Sequence, residues 1–165
     1  MAALKNSPPR RKRRYKFLVS ACLAGIKCTY KGGDKLEKRV KALADKSLAL
    51  PICPEVLGGL RVPRENAEIV GGIGKDVLNK EARVLTITGK DVSDNFIKGA
   101  RRALRLAKKH GIKKAILRSK SPSCGLGKIY NGTFNKVLVK GDGVLVRLLK
   151  SNGMKIYTER SRYYA

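Results

Sequence analysis

Short apolar runs punctuate this chain, with helical periodicity between them. Residues 16–21, 48–52 and 114–117 read as buried strands, and residues 154–158 as a last one. A short strand is expected over 136–139, and 84–88 reads as either a strand or an irregular segment. Asp34 is placed to cap a helix whose apolar face is Leu36, Val40, Leu43 and Ala44. The clearest helix opens at Ser93 or Asp94. Phe96, Ala100, Ala103, Leu104 and Ala107 share one stripe of it, while Lys98, Arg101, Arg102, Arg105, Lys108 and Lys109 lie mostly away. His110 and Gly111 end it, as a terminal cation and a glycine should, so His110 needs no catalytic explanation. Residues 143–151 predict a further helix with Val144, Leu145, Leu148 and Leu149 inward, closed by Gly153. Residues 54–74, with the pairs Gly58-Gly59 and Gly71-Gly72, read as one long loop, and loops of that length are often functional. Strands alternating with helices predict an α/β fold. We expect a single-domain three-layer sandwich around a mostly parallel, Rossmann-like sheet.

Length and composition fit that picture. At 165 residues, 42% of them apolar, the chain suits one domain with a real core. Residues 1–15 read as a flexible basic arm, 16–160 as the α/β domain and 161–165 as a tail. No apolar stretch approaches the ~20 residues of a membrane span. The N-terminus lacks the apolar region of a signal peptide, so a cytoplasmic location with reduced cysteines is expected.

Charge changes the picture more. The chain carries 38 Lys and Arg against 12 Asp and Glu, a net +26. Seven of the basic residues fall in the first 16, yet +19 remains without them. Such an excess favours polyanions through phosphate neutralisation and counterion release, although a solvated basic surface has the same composition. Tyr163 and Tyr164, with Arg160 and Arg162, could stack on bases or form a frayed end.

Three cysteines sit where three of the strands end: Cys22, Cys53 and Cys124. Ligands of parallel sheets collect beyond the carboxyl ends of the strands, so thiols distant in sequence could meet there. There is no Cys-x-x-Cys pair and a single His, which disfavours a closed zinc site. Scattered thiols suit an iron–sulfur cluster better, while buried free cysteines would show the same spacing. Glu55 follows Cys53 by two residues and could move protons, or pair with a surface cation. Ser121 and Ser123 flank Pro122 beside Cys124; they could bond a ligand or cap the turn. Arg61 and Arg64 could meet a phosphate or solvate their loop.

Four blocks carry a stronger signal when taken in order. They are Val19-Ser-Ala-Cys-Leu-Ala-Gly with Cys28-Thr-Tyr-Lys-Gly-Gly-Asp-Lys; Pro51-Ile-Cys-Pro-Glu-Val-Leu-Gly-Gly-Leu with Pro63-Arg-Glu-Asn-Ala-Glu; Ser121-Pro-Ser-Cys-Gly with Ile129-Tyr-Asn-Gly-Thr-Phe; and Gly141-Asp-Gly-Val. Through them, from about Phe17 to Glu159, the chain resembles the thiouracil desulfidase family. The resemblance implies a [4Fe–4S] cluster chelated by Cys22, Cys53 and Cys124, with one iron left open for the sulfur of a thiolated pyrimidine. It implies carbon–sulfur cleavage without net redox change, water replacing sulfur and sulfide leaving. It places an acid–base role on Glu55 and a proton-shuttling role on Ser121, and makes Cys28 an auxiliary thiol. Departures at Thr29, Lys31, Arg61, Val62 and Asn131 lie in loops expected to shape the pocket.

The leading expectation is therefore a hydrolase-type, iron–sulfur-dependent desulfidase of thiolated uracil or uridine. The charge makes thiouridine within tRNA an attractive substrate. Two other classes stand beside it: an RNA-binding module with a structural or degenerate metal site, and a sulfur-transfer enzyme. The lack of a Gly-x-x-x-x-Gly-Lys-[Ser/Thr] loop for ATP counts against the last.

Overall fold

Four short, apolar strands pair side by side in this computed structural model, which describes residues 15–162. They are β1 (Phe17–Ser20), β2 (Ala49–Ile52), β5 (Lys114–Leu117) and β8 (Lys155–Thr158), in the order β2-β1-β5-β8 and all parallel. A parallel sheet is covered on both faces, so its central strands read as near-continuous apolar runs. All four residues of β1 are buried accordingly. Leu18, Ala115 and Leu117 face a core shared with α4 (Ser93–Lys109) and α5 (Val144–Ser151), whereas Phe17, Val19 and Ile116 face Val40 of α1 (Lys38–Asp45). The expected three-layer α/β sandwich is borne out, with residues 1–14, Tyr163 and Tyr164 lying outside the described residues. Among the described residues no helix is long and apolar enough to cross a membrane.

The long helix follows its periodicity closely. Phe96, Ala100, Ala103 and Ala107 are buried and Leu104 is half-buried, with the six basic residues on the exposed side. Elsewhere local signals lost to tertiary ones. The first helix starts at Lys38, capped by Glu37, whose side chain accepts from the Arg39 N–H. Asp34 instead accepts from the Leu36 N–H in the preceding loop, and Leu36 is half exposed. The stretch 54–74 is not one loop. It holds α2 (Pro54–Leu57), β3 (Ala67–Val70) and the start of α3 (Gly74–Leu78). These elements are too short for a period to show, and β3 exists only by pairing antiparallel with β4 (Arg83–Thr86). The strand expected at 136–139 is β7 (Leu138–Lys140), paired with β6 (Lys128–Tyr130) in a hairpin off the main sheet.

Two features of the topology position a site. The chain leaves β1 toward β2 on one side and returns to β5 on the other, so the loops after β1 and β5 diverge at the carboxyl edge. In addition, α2 presses on α4 through glycines. A Cβ on Gly99 would stand 1.8 Å from the Pro54 carbonyl oxygen, and one on Gly58 would stand 2.0 Å from that of Asn95. Only backbone fits there, and this contact fixes α2 just beyond the end of β2.

Candidate active site

A cavity of about 400 Å³ opens at the switch point. All four cysteines line it, with Glu55, Arg64, Arg118 and Ser121. Each of the expected ligands is delivered by the end of a parallel strand. Cys22 lies in a 3-10 turn, Ala21–Ala24, that follows β1; its carbonyl accepts from the Lys35 N–H at 2.9 Å, and Gly25 ends the turn with φ of 86°. Cys53 caps α2, and Pro54 occupies the first helical position, where its missing N–H costs nothing. Cys124 ends a tight turn after β5.

Ser121 makes that turn. Its Oγ accepts from the N–H groups of Ser123 and Cys124, each at 3.1 Å, which leaves its own proton as the donor. The first turn of α5 then clamps the same loop, with Val144 N–H donating to the Pro122 carbonyl and Leu145 N–H to that of Ser123. Gly143 permits this approach, since a Cβ there would stand 2.5 Å from the Ser123 carbonyl oxygen. Ser123 itself is fully buried, and its Oγ has no hydrogen-bond partner. Cys124 also hydrogen-bonds to the Ser20 side chain, whose Oγ accepts from the Arg118 N–H at 3.0 Å.

The thiols influence one another. The Cys28 thiol hydrogen-bonds to Cys22 and Cys53, so its own proton is held far above the ordinary thiol range. The same hydrogen bond lowers Cys22 against the effect of burial, with help from the Arg118 charge. The bond from Cys28 to Cys53 pulls that thiol down to about 7, again against burial. Cys124 is pushed up, first by burial. Cys28, an auxiliary thiol by resemblance, thus touches two of the three expected ligands.

Glu55 does not sit alone. Arg64 reaches it through Nε at 2.7 Å and through Nη2, both on Oε2, and the two side chains are only 18% and 10% exposed. Arg64 Nη2 also donates to the Cys28 carbonyl at 3.0 Å, and the Arg64 N–H to that of Tyr30 at 2.8 Å. Arg64 therefore serves Glu55 and the Cys28 loop, not a phosphate. Arg61 is exposed and outside the cavity lining. His110 packs edge-on against Tyr15 at 5.1 Å, in keeping with a structural role.

Sequence reasoning missed Glu159, which lines the cavity from the end of β8 and accepts from the Ser119 N–H at 3.0 Å and from its hydroxyl at 2.5 Å. It missed Arg118 as well. Both follow strands of the one parallel sheet, and that placement was the available signal.

Among the described residues no group of three His, Cys, Asp or Glu side chains is arranged to hold a single metal ion. Four thiols around one cavity are the donor chemistry of a thiolate-bound cluster, which is larger than an ion, so the residues fit such a group.

Comparison with known proteins agrees. Residues 17–161 match the model of a family described as 2-thiouracil desulfurase. An uncharacterised protein of Bacillus subtilis (strain 168), YbbK, is 45% identical over 143 residues, which are 87% of this chain and 95% of YbbK. A solved structure of TudS, a [4Fe–4S]-dependent thiouracil desulfidase, superposes with a TM-score of 0.77 at 40% identity, covering 88% of this chain and 91% of that one.

Proposed function

The chain belongs to the 2-thiouracil desulfurase family, and from that premise we propose that it is an iron–sulfur-dependent desulfidase of thiolated uracil. The observation that carries this reading is the meeting of Cys22, Cys53 and Cys124 with Glu55 and Ser121 around one cavity. In the reaction water replaces sulfur at the ring carbon and sulfide departs, with no electrons gained or lost overall. Cys22, Cys53 and Cys124 would hold a [4Fe–4S] cluster. When bound, it supplies an iron without a protein ligand that acts as a Lewis acid toward the thiocarbonyl sulfur.

The remaining work falls to side chains. Arg64 saturates Oε2 of Glu55, leaving Oε1 to accept the proton of the attacking water. Ser121, whose Oγ already accepts two N–H groups, has its proton free to donate to the ring or to the departing sulfide. The lining is partly apolar, with Phe96 and Leu23 beside the polar groups.

The wider substrate follows from charge. The net +26 supports thiouridine within tRNA, with the backbone held on the basic surface while one base leaves the stack and enters the cavity. Sulfide release from 2-thiouracil, 4-thiouridine and thiolated tRNA by the anaerobically reconstituted protein tests the proposal. Glu55→Gln is expected to keep its cluster absorbance and slow release by about 10²-fold or more. A full cluster with no sulfide from any of the three substrates would overturn it.

A further inference from the structure

A second concavity of about 470 Å³ lies apart from the cysteine cavity, lined by Lys75 at the start of α3, Lys140 of β7, and Arg147 and Lys150 of α5. One carboxylate, Asp142, accompanies these four cations, and both its oxygens are engaged. Oδ1 accepts from the Gly127 N–H and Oδ2 from Lys150, each at 2.8 Å. Lys75, Lys140 and Arg147 have no ion-pair partner among the described residues. Lys140 stands directly opposite Lys128 in the β6–β7 register, and both are exposed. Like charges facing each other across two strands destabilise a hairpin, and an anion between them removes that penalty. The amides at the start of α5 are already spent on the Pro122 and Ser123 carbonyls, so that helix start adds no free donor to the recess.

Its place relative to the cysteine cavity gives it meaning. Pro122 and Cys124 line that cavity and Gly127 lines the recess, so one loop walls both. The three residue steps from Cys124 to Gly127 span at most roughly 11 Å. We propose that the recess is a phosphate-binding site that holds the backbone of a thiolated RNA while its modified base occupies the cysteine cavity. This rests on the tRNA reading above and adds where the backbone is gripped. The chemistry recognised is the phosphate oxygen, and the excess charge of the whole chain selects a polyanion over a single phosphate as its source.

Binding of thiolated tRNA to the full-length protein across a salt series tests it. Lys75→Gln/Lys140→Gln/Arg147→Gln is compared with Arg101→Gln/Arg105→Gln/Lys108→Gln on the exposed face of α4, an equal loss of charge. The recess variant is expected to lose about tenfold or more in affinity and to flatten the slope of log K against log salt by about two, with the α4 variant within about threefold of wild type. Equal losses in both variants, or no RNA binding by wild type at low salt, would overturn the site. Inorganic phosphate is titrated alone. Affinity for it matching that for tRNA would overturn the backbone assignment. Sulfide release from free 2-thiouracil should be unchanged in the recess variant. If wild type releases none, the desulfidase reading fails, while the binding comparison still decides the recess.

Discussion

Removing Arg64 should show how firmly Glu55 is held. Their side chains are 10% and 18% exposed, which places the pair between a surface ion pair and a buried one. Exposed pairs contribute roughly 0.2–1 kcal/mol, and losing one partner of a buried pair costs about 3–5 kcal/mol. Arg64→Leu also removes the donor at 3.0 Å from the Cys28 carbonyl. We therefore expect a loss of about 2–3 kcal/mol, which in a chain of this size lowers Tm by roughly 5–10 °C. The assay is a double-mutant cycle on the cluster-free protein with Glu55→Gln, read by urea and thermal unfolding. Coupling of about 1–2 kcal/mol is expected. A Tm shift under about 2 °C, with additive effects in the double variant, would refute the reasoning. Arg64 would then not be what positions Glu55.

Two further outcomes follow from the same geometry. Gly99→Ala puts a methyl group 1.8 Å from the Pro54 carbonyl oxygen, so α2 must shift. A loss of about 1–3 kcal/mol in urea unfolding is expected, together with poorer iron retention because Cys53 and Glu55 ride on that helix. In the cluster-free protein Cys53 titrates near 7, below its ordinary range, so its thiolate fraction rises through pH 7 and saturates above it. Alkylation followed by peptide mass spectrometry should find Cys53, half-buried where Cys28 and Cys124 are buried, modified at neutral pH before those two, whose values are raised.

The strands that matter most were legible because they are apolar at successive positions. The sheet's carboxyl edge could be named from where Cys22, Cys53 and Cys124 fall. The long helix was legible because Phe96, Ala100, Ala103 and Ala107 repeat at its period. Residues 54–74 were not, because α2 is only four residues long and β3 depends on β4 for its hydrogen bonds. Ser121 caps the turn, one of the two roles open to it, and it also lines the cavity. The partnership of Arg64 with Glu55, and of Cys28 with two other thiols, had no local signature. Arg64 and Glu55 lie nine residues apart in the segment after β2, and Cys28 meets Cys53 only when the loops after β1 and β2 come together. Glu68 makes the same point. It is 4% exposed and accepts from the Gly132 and Phe134 N–H groups, 64 and 66 residues away.

The most direct measurement is iron and acid-labile sulfide per chain, with sulfide release from 2-thiouracil, for anaerobically reconstituted wild type, Cys28→Ser and Cys124→Ala. The account predicts a full cluster and activity in wild type, a retained cluster in Cys28→Ser, and loss of both cluster and activity in Cys124→Ala. A full cluster and undiminished sulfide release in Cys124→Ala would contradict it, as would a Cys28→Ser protein unable to hold iron.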